Sequence, residues 1–162
     1  MENYILDIQR MSTEDGPGIR TTVFFKGCNL KCRWCHNPES IAFNREKYWM
    51  PDNCMFCLSC QEACPEQAIY FDEQGMNIDD KLCAFCLTCA DVCPSNAIEV
   101  KGKKIDIDEL VYELEKDSSF YKHSQGGITL SGGEALLQSD YLLELVKKLK
   151  EKSIHLALDT AG

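Results

Sequence analysis

The chain has 162 residues, an apolar content of 44% and a formal net charge of −9, which fits one ordinary globular domain. No segment approaches ~18 uninterrupted apolar residues, so no membrane span is expected, and the start MENYILDIQRM lacks the basic and apolar regions of an export signal. The cytoplasm is therefore the expected compartment, and there the eleven cysteines read as metal ligands rather than disulfides.

In chain order, Asp15-Gly16-Pro17-Gly18 is a turn-rich loop and RTTVFF (20–25) a strand. That strand runs into GCNLKCRWCHNPES (27–40), which carries Cys28, Cys32 and Cys35. Zinc and iron–sulfur centres normally take four ligands, and this loop supplies three thiols. His36 directly follows Cys35, a poor position from which to reach the remaining iron of the same cubane. Trp34 reads either as packing beside this loop or as part of a binding wall.

Between residues 51 and 100 stand nine acids and one lysine, so nearly all of the net charge lies there. This sets the segment apart as a unit and argues against nucleic acid, whose phosphates it would repel. A solvated acidic surface and a docking face for a redox partner are both open readings. Within it, CMFCLSCQEACPEQAI (54–69) recurs as CAFCLTCADVCPSNAI (83–98), with Cys54, Cys57, Cys60 and Cys64 matched in turn by Cys83, Cys86, Cys89 and Cys93. Both copies follow C-x2-C-x2-C-x3-C-P, the bacterial two-cluster iron–sulfur run, in which the fourth cysteine ligates the other cluster. The proline after it favours an extended backbone that carries the thiolate across. The expected ligand sets are Cys54, Cys57, Cys60 and Cys93 for one [4Fe–4S] cluster, and Cys64, Cys83, Cys86 and Cys89 for the other. Paired zinc sites are the alternative, though two identical four-cysteine runs ending in proline do not suit them. Eight of the eleven thiols are thereby used, and none is left to complete the cluster of the first loop, so one of its irons is expected to lack a protein thiolate; a fourth ligand from His36 or from a missing part of the chain is the alternative.

Residues 108–117 read as an amphipathic helix with Leu110, Val111 and Leu114 inward and Asp108 as N-cap. His123 falls in an expected loop. GGITLSGGEALLQ (126–138) reads as a strand, then Gly132-Gly133-Glu134, then a helix. The two glycines remove side chains where a ligand would approach backbone, and Glu134 can accept from an ammonium. Residues 139–152 form a second amphipathic helix with Tyr141, Leu142, Leu145, Val146 and Leu149 inward and lysines toward its C-terminus. In SIHLALDTAG (153–162), Ile154, Leu156 and Leu158 alternate as in a strand, with Asp159 and Thr160 at its end. A helix-capping role for Asp159 is the alternative, and His155 reads as a packing residue.

The cysteine-rich segment resembles bacterial two-cluster ferredoxins, which implies electron transfer. The C-x3-C-x2-C loop resembles the radical S-adenosylmethionine superfamily. There the open iron is chelated by the amino and carboxylate groups of S-adenosylmethionine, and reductive cleavage gives a 5′-deoxyadenosyl radical. The stretch EDGPGIRTTVFFKGCNLKCRWCHNPES (14–40) looks like the N-terminus of glycyl-radical-enzyme activating enzymes, which take a hydrogen from a backbone glycine of a partner enzyme. That resemblance implies that Trp34, Cys35 and His36 line the adenine side of the cofactor. It further implies that Gly132, Gly133 and Glu134 bind the methionyl amino group and that Asp159 helps hold a monovalent cation. A glycyl radical enzyme is the implied partner and a flavodoxin or ferredoxin the implied electron donor, with neither nucleic acid nor membrane.

The expected fold is α/β: the N-terminal half of a partial (β/α)6 radical S-adenosylmethionine barrel with an inserted α+β ferredoxin-like two-cluster domain. Its parts are 1–48 (first barrel strand and cluster loop), 49–100 (insert with two [4Fe–4S] clusters) and 101–162 (βα units of the barrel). Three [4Fe–4S] clusters and S-adenosylmethionine are the implied cofactors. Because such activating enzymes have about six barrel strands and this chain reaches the third, it reads as a truncated form, not necessarily competent alone. Rival readings are a non-catalytic ferredoxin-like electron carrier and a radical S-adenosylmethionine enzyme with another substrate.

Overall fold

The computed structural model describes residues 3–162. In chain order the elements are β1 (Ile5–Ser12), β2 (Arg20–Phe25), β3 (Glu46–Trp49), α1 (Ser59–Glu62), β4 (Ile69–Asp72), β5 (Gly75–Ile78), α2 (Thr88–Asp91), β6 (Ile98–Lys101), α3 (Ile107–Glu115), α4 (Ser118–Ser124), β7 (Gly127–Gly132), α5 (Ser139–Glu151) and β8 (Leu156–Leu158). The chain divides into two compact units, one of residues 46–101 and one of the segments flanking them. The architecture is mixed α/β with open sheets.

The flanking segments build a four-stranded sheet in the order β1-β2-β7-β8. β2, β7 and β8 are parallel, with Arg20 opposite Gly127, Phe25 opposite Gly132 and Ile128 opposite Leu156. Parallel strands need helical cover, and α3 and α5 supply it. Val23, Phe25, Ile128 and Leu130 project into one core with Leu110, Leu114, Leu142, Leu145 and Leu149. β1 is an addition to the expected order: it pairs antiparallel with β2 and closes one side of the sheet.

The strand residues of opposite parity make the other face, which is polar. Arg20, Thr22 and Thr129 are buried there. The Arg20 Nε donates to Thr129 Oγ1 at 2.6 Å and its Nη2 to the Ile128 carbonyl at 2.6 Å. The loop before β2 folds back over this face: Thr129 donates to the Asp15 carbonyl at 2.8 Å, and Thr22 to its carboxylate at 2.5 Å.

Three local expectations are corrected. The first helix is capped by Asp106, whose side chain accepts from the Asp108 N–H. His123 lies within helix α4, not in a loop. His155 is exposed rather than packed, with Nδ1 3.4 Å from Arg20 Nη1.

The unit of residues 46–101 holds two antiparallel ribbons, β3-β6 and β4-β5. Its first and last residues face each other, Glu46 opposite Lys101. The sequence repeat is a repeat of backbone as well. Phe56 and Phe85, Leu58 and Leu87, and Gln67 and Asn96 all take positive φ at matching places. Helices α1 and α2 occupy equivalent positions in the two copies. Positive φ is uncommon for side-chain-bearing residues, so its recurrence at matched places marks a loop shape that both copies are built to keep.

Candidate iron–sulfur sites

The three-cysteine loop springs from the end of β2. Its base is closed by two backbone hydrogen bonds, Gly27 N–H to the Ser40 carbonyl at 2.7 Å and Cys28 N–H to the Ile41 carbonyl at 3.0 Å. Cys35 N–H to the Cys32 carbonyl at 3.2 Å turns the chain between the last two thiols. Cys28 and Cys35 are half-buried and Cys32 is exposed. Trp34 is 77% exposed, so it does not pack beside the loop, and His36 is exposed as well.

The end of β7 meets the base of this loop directly. Gly133 N–H donates to the Phe25 carbonyl at 2.8 Å, and Glu134 N–H to the Gly27 carbonyl at 2.9 Å. This closeness explains the glycines. A Cβ on Gly132, at φ +114°, would stand 2.2 Å from the Phe25 nitrogen, and one on Gly133 would stand 2.4 Å from the Gly27 oxygen. The glycines leave room for a ligand on the sequence-based reading, and the protein's own backbone also comes close there.

Glu134 is 7% exposed. Its carboxylate accepts from Thr160 Oγ1, which is 2.8 Å from one oxygen and 2.9 Å from the other, from Ala161 N–H at 3.0 Å and from Leu136 N–H at 3.2 Å. Burial opposes its ionisation, but the Ala161, Thr160 and Leu136 donors outweigh that and hold the carboxyl below its usual range. Three donors occupy most of the about four acceptor positions of a carboxylate. Glu134 is thus a clasp between the ends of β7 and β8, with two contacts on each carboxylate oxygen. Asp159 is set beside it: its N–H donates to the Leu130 carbonyl at 2.9 Å, and Ser131 Oγ donates to its carboxylate at 2.8 Å. Cys28, Gly132, Gly133, Glu134 and Asp159 therefore gather at one end of the parallel strands.

In the other unit, a pocket is lined by Cys54, Cys57, Cys60 and Cys93, together with Trp49, Met55 and Phe71. The fourth thiol of this wall comes from the second copy of the repeat. Cys60 and its counterpart Cys89 are buried, and burial pushes both thiols up. The Ser59 hydroxyl draws Cys57 down, and Thr88 does the same for Cys86. Backbone donors complete the symmetry: Ala68 N–H lies 3.3 Å from Cys64 Sγ and Ala97 N–H 3.2 Å from Cys93 Sγ. Donors aimed at sulfur favour thiolate, the form that binds metal.

All eleven cysteines are free of disulfides. A zinc ion would need its sulfurs about 2.3 Å from one point. Among the described residues no three Cys, His, Asp or Glu side chains converge in that way. The Trp49 Nε1 is buried in the same unit with no hydrogen-bond partner among the described residues, an orphan donor beside a site made of acceptors. Lys47 and Trp49 entered no sequence-based site, because both precede the first cysteine of the repeat and reach the thiols only through the β3-β6 pairing.

A family model described as "4Fe-4S single cluster domain" matches residues 14–160. The trans-4-hydroxy-L-proline dehydratase activating enzyme of Clostridioides difficile is 45% identical over all of this chain and 54% of its own length. The benzylsuccinate synthase activating enzyme of Thauera aromatica is 43% identical over 97% of this chain and 49% of its own. The (2S)-3-sulfopropanediol sulfolyase activating enzyme of Bilophila wadsworthia is 45% identical over 98% and 53%. The chain spans about half the length of the curated relatives it matches.

Proposed function

This chain belongs to the 4Fe–4S single cluster domain family, and from that premise we propose that it acts as a glycyl-radical-enzyme activating enzyme of the radical S-adenosylmethionine type. The observation that carries the reading is the convergence at one end of the sheet. The loop bearing Cys28, Cys32 and Cys35 is hydrogen-bonded at its base to Gly133-Glu134, and Glu134 is clasped to the chain following Asp159.

On this reading residues 1–48 and 101–162 are part of a (β/α)6 barrel, and 49–100 are an inserted ferredoxin-like domain. Three parallel strands with helices on one face support the first, and the paired ends of the cysteine-rich unit support the second. Cys28, Cys32 and Cys35 hold a [4Fe–4S] cluster with one open iron. With S-adenosylmethionine bound there, such a cluster would supply the electron that cleaves it to methionine and a 5′-deoxyadenosyl radical, able to take a hydrogen atom from a glycine of the partner.

The protein's own contribution is placement. The backbone at Gly132-Gly133 and the Glu134 carboxylate would receive the methionyl ammonium, and Asp159 would hold a monovalent cation near the methionyl carboxylate. Trp34, exposed on the loop, covers the adenine together with the backbone at Cys35 and His36. Cys54, Cys57, Cys60 and Cys93 hold a second cluster, and Cys64, Cys83, Cys86 and Cys89 a third. These thiols would place both clusters to pass on electrons from a flavodoxin or ferredoxin in the cytoplasm. Among the described residues no helix is long and apolar enough to cross a membrane.

Anaerobic reconstitution tests this. Three cubanes give about twelve irons per chain, and adding S-adenosylmethionine changes the electron paramagnetic resonance spectrum of one cluster. With dithionite present, 5′-deoxyadenosine is released. A full iron complement whose spectrum S-adenosylmethionine leaves unmoved overturns the reading.

A further inference from the structure

The repeat contains its own control. Around the two thiol sets most contacts come in matched pairs. Ser59 Oγ lies 3.4 Å from Cys57 Sγ and Thr88 Oγ1 lies 3.4 Å from Cys86 Sγ. The backbone donors to Cys64 and Cys93 are matched as well, at 3.3 and 3.2 Å. Against this background the contact of Ser95 with Cys93 and those of Lys47 have no counterpart among the described residues, and only Lys47 brings a charge. Lys47 Nζ donates to Cys83 Sγ at 3.1 Å and stands 4.7 Å over the ring of Phe85.

The matching ring of the other copy, Phe56, meets Trp49 edge-on at 6.2 Å. Lys47 and Trp49 are two residues apart on β3 and so share one face of that strand. A single ribbon thus offers an ammonium to one copy and an indole to the other. The pocket of Cys54, Cys57, Cys60 and Cys93 carries aromatic and thioether side chains on its wall and neither lysine nor arginine. Residues 46–101 contain two further lysines, Lys81 and Lys101. Lys101 is paired with Glu99 at 2.6 Å, and Lys81 is exposed.

Reduction adds one negative charge to a thiolate-bound cluster, and its potential follows nearby charge, hydrogen bonds to sulfur and solvent exposure. An ammonium touching a ligand sulfur stabilises the reduced form, whereas an apolar wall disfavours the extra charge. Two smaller differences pull the other way. Ser95 Oγ lies 3.7 Å from Cys93 Sγ, while its counterpart Glu66 is exposed and screened by solvent. The orphan Trp49 N–H, even turned toward sulfur, is a neutral donor, and a charged donor is roughly twice as strong.

Building on the cluster assignments of the proposed function, we propose that Lys47 splits the potentials of the two clusters in this unit. The cluster of Cys64, Cys83, Cys86 and Cys89 has the higher potential and is the first to accept an electron, and that of Cys54, Cys57, Cys60 and Cys93 is the second. Lys47 is a positioning residue for electrons rather than a catalytic one.

The test is a potentiometric titration of the anaerobically reconstituted full chain with dithionite as one-electron donor, read by electron paramagnetic resonance alongside iron content. In the wild type the two signals rise at separate potentials. Lys47→Gln weakens reduction of the higher-potential cluster at least tenfold, which is ~59 mV for one electron, and moves the other much less. Lys47→Arg restores the separation, and Lys47→Met repeats the loss should Lys47→Gln load iron poorly. In Cys54→Ala, which removes the lower-potential cluster, the remaining signal still responds to Lys47→Gln. Coincident titration in the wild type, a higher-potential cluster unmoved by both neutral variants, or equal movement of both clusters overturns the proposal alone. An iron content too low for two cubanes in residues 46–101 overturns the cluster reading beneath it, and this proposal with it.

Discussion

The two cysteine-bearing regions solve the same problem in opposite ways. In residues 46–101 each thiol has a counterpart in the other copy of the repeat, and the pocket of Cys54, Cys57 and Cys60 is completed by Cys93 from that copy. Cys60 and Cys89 are buried while Cys57 and Cys86 are exposed, and donors point at several sulfurs. The loop of Cys28, Cys32 and Cys35 is shallow and unmatched, with Cys32 exposed and Trp34 standing in solvent. Sulfur that only stores and passes electrons gains from enclosure, because a fixed, dry setting holds its potential. Sulfur that must admit a second molecule has to stay open. On the proposed function, the matched donors and the two buried thiols serve the first need, and the unmatched loop serves the second.

The largest expected effect breaks this comparison outright. Cys32→Ala abolishes release of 5′-deoxyadenosine and lowers iron from about twelve to about eight per chain, leaving the signals of the enclosed clusters intact. Loss of all iron in that variant would mean that the two regions do not load independently.

The second effect concerns the junction under the open loop. Gly133→Ala drives a Cβ to within 2.4 Å of the Gly27 oxygen and 2.9 Å of the Ser40 oxygen, both backbone atoms that cannot step aside. A destabilisation on the order of 3 kcal/mol is expected, seen as a lower Tm than Lys147→Ala gives. An unchanged Tm would show that the loop base is soft.

These glycines also show what was legible in the sequence. Their identity and their place at a strand end were readable. That Phe25, Gly27 and Ser40 are what approach them was not, because it depends on two strands remote in sequence lying side by side. The strand RTTVFF is readable since it is an unbroken β-branched and aromatic run, and it is β2 to the residue. β1 escaped because it is an edge strand, and Asp7 and Arg10 break its apolar alternation. Asp106 and Asp108 are equally good caps on paper, and only the extended backbone at Asp106, φ −66° and ψ 147°, separates them. Helix α4 is too short to show a period, and it is held by Tyr121, whose hydroxyl donates to the Leu114 carbonyl at 3.0 Å. The repeat announced eight thiols, while Lys47 lies outside it and gains meaning only from strand pairing.

A third, smaller effect sharpens the view of the Glu134 clasp. The folded-state pKa of Glu134 lies below its ordinary value. Its contribution to stability is therefore present above the unfolded pKa of about 4.3 and is lost as pH falls through the lower folded value. Glu134→Gln should flatten that acid limb, followed as Tm against pH, with little effect on the enclosed clusters. An acid limb identical to wild type would remove Glu134 from the account.

The smallest effect is a control touching neither region. Asp106→Ala removes the cap on the Asp108 N–H and should cost about 1 kcal/mol, lowering Tm while iron content and both sets of spectra stay as they were.

Because Glu46 and Lys101 face each other across paired strands, the chain leaves for its cysteine-rich excursion and comes home at nearly the same point. A short turn joining Arg45 to Gly102 would splice the excursion out without stretching the backbone on either side. Evolution and the engineer are offered the same cut: a detachable cysteine-rich module whose gain or loss leaves the four-stranded sheet threaded as before.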